Sequence, residues 1–278
     1  MKLLIKLLVV VGLSLVIFGG GGFLGYRLFF KRLNTRQPAK GQAVVAPTPD
    51  PGIVMLDQAK QQLAKGVKSD ARQVLSSLIQ SFPKSGKADE AKKILGDLNI
   101  QDFFSTQPGP DKGEYTVVRG DSVARIAAKT KTPVELIFKA NGLESLIIQP
   151  GTKFIIPKGQ FSLVLGTKTQ DVTLLNHGAF FRWYKPTEFN IPAKVPPGQY
   201  KVHEKIAWAG GTRVAFGTKD YMGSSRWIVV NHPGVVLFSE TNPQAPNIQK
   251  PNSGIMLTPP DMEELFALVG RDTPIIVQ

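Results

Sequence analysis

The sequence predicts an α+β multidomain chain: an N-terminal transmembrane helix, a short helical segment, a β-α-α-β unit and a mainly antiparallel β domain. Three observations predict it. The 20 residues from Leu7 to Tyr26 carry no charge, and apolar positions between residues 54 and 98 recur at three-four spacing. Beyond Lys158, alternating apolar runs are separated by Gly, Pro and Asn at intervals of about 10 residues. At 278 residues and 42% hydrophobic content, the chain has material for two or three modest units.

Residues 1–32 are the expected anchor. At a rise of about 1.5 Å per residue, the uncharged stretch covers a hydrocarbon core of roughly 30 Å. Residues 1–50 hold Lys2, Lys6, Arg27, Lys31, Arg32, Arg36 and Lys40 against one acid, Asp50, which is +6 of the net +13. Basic charge packed around an apolar stretch reads as membrane flanks. No later Lys/Arg cluster is interleaved with aromatics, so nucleic acid is not an expected partner. A cleaved signal peptide is the competing reading. Against it, Arg27, Phe29, Phe30, Lys31 and Arg32 stand where a small-residue cleavage pattern belongs. The expectation is a single-pass membrane protein with its bulk outside the cytoplasm. The chain has no cysteine, which excludes disulfides and thiolate metal sites.

Residues 33–53, rich in Pro, Gly, Gln and Ala, read as a flexible spacer. Residues 54–106 read as two or three short helices, with Leu63, Ala71, Val74, Leu75, Leu78 and Ile79 on one apolar stripe and Ala88, Ala91, Ile94 and Leu95 on another. Phe82-Pro83 and Ser85-Gly86 punctuate them. The stretch FPKSGKADEAKKILGDLN (82–99) is similar to the second half of a tetratricopeptide unit. It is too little for a stacked array, so a helical hairpin that props the next domain or docks a partner is expected.

QPGPDKG (107–113) breaks the pattern, and a new unit, 114–158, begins. A strand (Tyr115–Val118), a Gly-Asp-Ser turn, helices at Val123–Lys129 and Pro133–Asn141 and a strand at Lys153–Ile156 are expected. Asp121 or Ser122 is placed to cap the first helix, and Thr132-Pro133 to start the second. YTVVRGDSVARIAAKTKTPVELIFKANGLESLIIQPGTKFIIP resembles the lysin motif, LysM, along nearly its whole length. The resemblance implies binding to N-acetylglucosamine-containing glycan strands, above all peptidoglycan. The implied groove lies between Gly120, Asp121, Ser122 and Val123 on one side and Leu146, Ile147, Ile148, Gln149 and Pro150 on the other. The plain alternative is that these residues only make turns.

Residues 160–278 carry the alternating runs: Phe161–Leu165, Asp171–Leu175, Phe180–Tyr184, Gln199–Lys205, Arg226–Val230 and Val235–Phe238. A mainly antiparallel sandwich or barrel fits them, with one helix over Asp261–Val269. Here FSLVLGTKTQDVTLLNHGAFFRWY, VPPGQYKV (195–202), GSSRWIVV (223–230) and PPDMEELFALVGRDTPIIV (259–277) resemble, in order, segments of the L,D-transpeptidase catalytic domain. That resemblance implies acyl transfer by a cysteine thiolate on a stem peptide of a bacterial cell wall.

The chain departs from that family where the chemistry should sit. The family's H-G-T segment corresponds to SET, with Ser239 in place of the His and Thr241 retained. Its S-H-G-C-I-R-M segment corresponds to KPNSGIML (250–257). Counted back from Thr258, Asn252 takes the second His, Gly254 the Cys and Met256 the Arg; anchored on Lys250-Pro251, two positions are deleted. The nucleophile is missing either way. Ser239 and Ser253 are the hydroxyls that a rearranged site would use, with His177, His203 or His232 as base, yet none forms a recognisable pair. No cofactor is implied, no acidic or His cluster has metal-ligand spacing, and GGGG (19–22) lies inside the anchor.

The reading is therefore a membrane-anchored, peptidoglycan-binding protein with a degenerate, inactive catalytic domain that scaffolds or regulates wall processes. A stem peptide or a partner wall enzyme is a further expected partner. The alternatives are an active wall enzyme with rearranged residues and a scaffold whose helical segment recruits a wall enzyme. An open cleft lined by Arg213, Arg226 or Trp227 would favour peptide binding.

Overall fold

The computed structural model describes residues 50–107, 109–192, 194–239 and 251–278. The expected anchor, nearly all of the spacer, Thr241 and Lys250 lie outside the described residues. Among the described residues no helix is long and apolar enough to cross a membrane.

Three helices open the described chain: α1 (Pro51–Ala64), α2 (Lys68–Ser81) and α3 (Ala88–Phe104). The first begins inside the stretch read as spacer, because Asp50 caps it. The Asp50 carboxylate accepts from the Gly52 N–H at 2.9 Å, and Pro51 supplies a helical φ in the first turn. The same carboxylate accepts from Ser85 Oγ at 2.7 Å and the Gly86 N–H at 3.0 Å, which ties the start of α1 to the α2–α3 turn. Gly52 is required there, since a Cβ would lie 2.0 Å from Ser85 Oγ. Leu56, Ala59, Leu75, Leu78, Ala91 and Leu95 form the core between the helices.

The next unit is β1 (Lys112–Thr116), α4 (Val123–Thr130), α5 (Val134–Ala140) and β2 (Lys153–Pro157). The strands pair antiparallel with Tyr115 opposite Phe154. Strand β1 starts earlier than the sequence suggests, in the Asp-Lys-Gly of the break, and Val117 and Val118 fall outside it. Val117, Val123, Ile126, Ile137, Phe154 and Ile156 form a small core of their own. Asn141 closes it: the side chain donates to the Ile155 carbonyl at 2.8 Å and accepts from the Ile155 N–H at 2.7 Å, fixing the end of α5 to β2.

The remaining strands are β3 (Phe161–Gly166), β4 (Asp171–Asn176), β5 (Ala179–Tyr184), β6 (Glu188–Asn190), β7 (Gly198–Ala209), β8 (Thr212–Arg213), β9 (Ser225–Val230), β10 (Val236–Ser239), β11 (Gly254–Leu257) and β12 (Pro274–Val277). Their order is β5-β4-β3-β12-β7-β9-β10-β11-β6, with β8 on β7. The pairs β3–β12 and β10–β11 are parallel, an arrangement that the alternation of the sequence did not reveal. Strand β7 serves two halves of the sheet: Gly198–Lys201 pairs with β12, and the stretch from Val202 to Trp208 pairs with β9. Both halves share one core with helix α6 (Pro259–Leu268), including Leu163, Leu174, Ile228, Leu237, Leu265 and Ile275. Helix α6 starts two residues before the sequence expectation. Thr258 caps it and two prolines fill its first turn.

Helix α3 docks on this sheet. Phe103 makes edge-to-face contacts with Phe161 and Phe181, each at 5.4 Å, and Asn99 donates to the Phe181 carbonyl at 2.8 Å. The buried Arg182 guanidinium donates Nε to Glu264 Oε1 at 2.8 Å and Nη1 to Asp97, bridging α6 and α3. Tyr184 donates its hydroxyl to the same Glu264 oxygen at 3.0 Å.

Candidate functional site

The two loops of the β-α-α-β unit lie side by side. The Gly151 N–H donates to the Val117 carbonyl at 2.8 Å and the Val117 N–H to the Thr152 carbonyl at 2.9 Å, so residues 118–122 and 146–150 leave one short ladder together. Their side chains play unequal parts. Ile147 is 80% and Val118 52% exposed, so both loops present a large apolar side chain to solvent. Gly120, Ser122, Leu146, Gln149 and Pro150 are also exposed. Val123 is a core residue, so it offers only backbone to a ligand, and Ile148 packs partly against the same core.

Asp121 is an internal strut. Its carboxylate accepts from Lys129 Nζ at 2.8 Å, the Tyr115 hydroxyl at 2.8 Å and the Val118 N–H at 3.0 Å, and its side chain is 1% exposed. The Lys129 hydrogen bond, followed by that of Val118, holds its carboxyl down at about 2. Ser122, not Asp121, caps α4 by accepting from the Arg125 N–H at 3.2 Å. Val118, adjacent to the expected residues, is the one that the sequence reading left out.

The residues expected to mark a lost catalytic centre do not come together. In the parallel β10–β11 pair, Leu237 stands opposite Ile255 and Ser239 opposite Leu257, so Ser239 and Gly254 lie at opposite ends. At about 3.3 Å per residue they are roughly 10 Å apart along the strands. Ser239 is 4% exposed, and its Oγ accepts from the Arg226 N–H at 3.2 Å. Ser253 donates to the Gly234 carbonyl at 2.8 Å, and Asn252 is exposed. The Met256 carbonyl accepts from the Thr187 N–H at 2.8 Å.

Gly254 has no room for a side chain. Its φ of +153° is one that side-chain-bearing residues rarely adopt, and a Cβ would fall 2.5 Å from the Val236 carbonyl oxygen and 3.0 Å from the Phe238 ring. That ring continues into Trp227 at 6.2 Å and Trp208 at 5.8 Å from Trp227, an aromatic row across β10, β9 and β7. Arg213 is bonded to Glu204 at 2.8 Å and lies over Trp208 at 5.5 Å.

The histidines are dispersed. His177 in the β4–β5 turn is 3.3 Å from Asp111, His232 contacts the Pro233 carbonyl at 3.0 Å and the Tyr200 ring edge, and His203 is exposed on β7. Among the described residues none hydrogen-bonds to Ser239 or Ser253, and no group of acidic and His side chains can hold a metal ion.

An opening that the sequence did not announce lies between the β-α-α-β unit and the sheet domain. This cavity of about 620 Å³ is lined from one side by Glu135, Phe138 and Leu146 and from the other by Phe216, Tyr221 and Arg226, among others. Leu146 reaches across it to Gly217, where a Cβ would lie 2.2 Å from Leu146 Cδ1. Tyr221 donates its hydroxyl to Glu135 at 3.0 Å, and Lys205 Nζ lies 3.4 Å from the same carboxylate. Burial first, then Glu135, raises the Tyr221 phenol, while burial pushes the Lys205 ammonium down.

Residues 115–157 match the LysM domain family. No curated protein matches the chain. Among solved structures, the chain is similar to an L,D-transpeptidase from Mycobacterium smegmatis, with 17% identity over 46% of this chain and 63% of that one at a TM-score of 0.30. It is also similar to L,D-transpeptidase 1 from Mycobacterium tuberculosis, with 15% identity over 46% and 67% at 0.30, and to an L,D-transpeptidase from Stackebrandtia nassauensis, with 16% identity over 43% and 55% at 0.30. The chain thus spans less than two thirds of the length of the M. smegmatis protein.

Proposed function

We propose that this chain is a membrane-anchored peptidoglycan-binding protein whose C-terminal domain, related to the L,D-transpeptidases, is catalytically inactive and serves to scaffold or regulate processes at the wall. The observation that carries the reading is the LysM match over residues 115–157, together with paired loops that expose Val118 and Ile147. Apolar side chains cover a sugar face, and the backbone groups beside them suit acetamido and hydroxyl groups.

Inactivity is supported by chemistry and by space. The thiolate mechanism implied by the sequence resemblance needs a cysteine, and the chain has none. The backbone at Gly254 admits no side chain, and the hydroxyls of Ser239 and Ser253 are engaged with main-chain groups. The uncharged stretch from Leu7 to Tyr26 with its basic flanks supports the anchor. A single motif of this kind binds weakly, so anchoring the chain beside the wall raises the effective concentration of glycan.

Co-sedimentation of purified protein with peptidoglycan sacculi tests the binding half, and release of the terminal D-amino acid from a tetrapeptide stem tests the catalytic half. Sedimentation without release is expected. Protein that stays in the supernatant would remove the first half, and turnover would remove the second.

A further inference from the structure

The cavity between the LysM unit and the sheet domain has a charge pattern of its own. Its floor holds Arg226, 5% exposed, with the guanidinium stacked 3.9 Å over the Tyr221 ring and Nη1 donating to the Ser224 carbonyl at 2.8 Å. Among the described residues no carboxylate makes an ion pair with it. Beside it, the Lys205 charge is matched by Glu135, so the floor keeps one cation in excess. A buried, unmatched guanidinium is costly, and an arriving carboxylate offsets that cost with charge-assisted hydrogen bonds. Phe138, Phe216 and Phe266 provide the apolar walls. The rim carries the exposed Glu144 and Glu263 against the exposed Lys139, an excess of one negative charge.

A cation at depth, rings along the walls and an acidic mouth together describe a ligand with a carboxylate at one end, an ammonium at the other and a small apolar body between. The volume of about 620 Å³ is in the range of small-molecule sites. We infer that this cavity binds a short zwitterionic peptide, its terminal carboxylate on Arg226 and its ammonium at Glu144 and Glu263. Leu146 belongs both to the second LysM loop and to the cavity wall, so a glycan on that loop carries its attached peptide to the mouth of the cavity. The inference extends the peptidoglycan reading, but its geometry stands without it.

The test is calorimetric titration of the full chain with trialanine, trialanine C-terminal amide and a sugar-only probe, chitotetraose. Trialanine is expected to bind saturably, and its amide about tenfold more weakly, as for a ligand that loses its charge-assisted bonds. Arg226→Gln is expected to weaken trialanine by a similar factor. Because that residue is buried, Met222→Glu serves as the second variant. Met222 is 73% exposed at the mouth, and a carboxylate there adds to the acidic rim that holds the ammonium without disturbing the core, strengthening trialanine about threefold. No saturable binding, equal binding of the amide, or Met222→Glu without effect in a normally folded variant would overturn the inference. Chitotetraose binding without trialanine binding removes this inference and leaves the glycan reading standing; the reverse outcome removes the glycan reading alone.

Discussion

The loop edge of the LysM unit and the strand start at Gly254 have opposite characters. At the first, large apolar side chains stand in solvent over a small core, and the one acidic residue of the turn, Asp121, is turned inward to hold the loops. At the second, the expected nucleophile position is a glycine wedged against a carbonyl and an aromatic ring. Packing of the unit's core does not use the Ile147 side chain. The second arrangement is explained by packing alone. The proposed glycan site thus rests on an open apolar edge, and the proposed inactivity on a position closed by backbone and ring.

The contrast yields graded expectations. Gly254→Ala is predicted to have the largest effect, about 3 kcal/mol of lost stability in urea denaturation, because the added Cβ has neither space nor an allowed φ. A neutral outcome would mean that the position is open after all. Gly254→Cys is expected to destabilise similarly and to gain no transpeptidase turnover.

Ser239→Ala comes next. It leaves the buried Arg226 N–H without its acceptor and should cost about 1–2 kcal/mol in urea denaturation. At the loop edge the sign of the comparison reverses. Ile147→Ala is expected to leave stability within about 0.5 kcal/mol of the parent. Glycan affinity should fall by about 1 kcal/mol, as for an apolar contact residue. Loss of stability without loss of binding would reassign Ile147 to packing.

The smallest effect is that of acid. The Asp121 carboxyl in the folded chain lies at about 2, below the ordinary 3.8, so its contribution is fully present above about pH 4 and is lost as the pH falls toward 2. Amide resonances of residues 115–129 should broaden in that window before the rest of the chain unfolds.

Much of this was legible in the sequence. Three-four spacing located the helices, and alternation located six strands, because each such element buries one face against a single core. The LysM boundaries were legible because turn glycines and a helix cap act within a few residues, and because the A-N-G helix end and the Q-P-G-T turn follow in order. Strand β11 was not, since Gly-Ile-Met-Leu is too short to alternate and was read as a remnant of a motif. The parallel β3–β12 and β10–β11 pairs join segments remote in sequence, which carry no local signature. The candidate site divided in the same way. The loop residues could be named from the turn pattern, but the inward role of Asp121 and the burial of Val123 depend on three-dimensional partners. The cavity arises where Leu146 meets Gly217, segments remote in sequence, so no local pattern announced it.

The most direct test of the central claim is a titration of the isotope-labelled chain with chitotetraose, followed by amide chemical shifts. The account predicts saturable shifts confined to residues 118–122 and 146–150, strongest at Val118 and Ile147, while the amides of residues 236–239 and 254–257 stay unmoved. Shifts centred on Ser239 and Gly254, or no shifts at the two loops at saturating sugar, would contradict it.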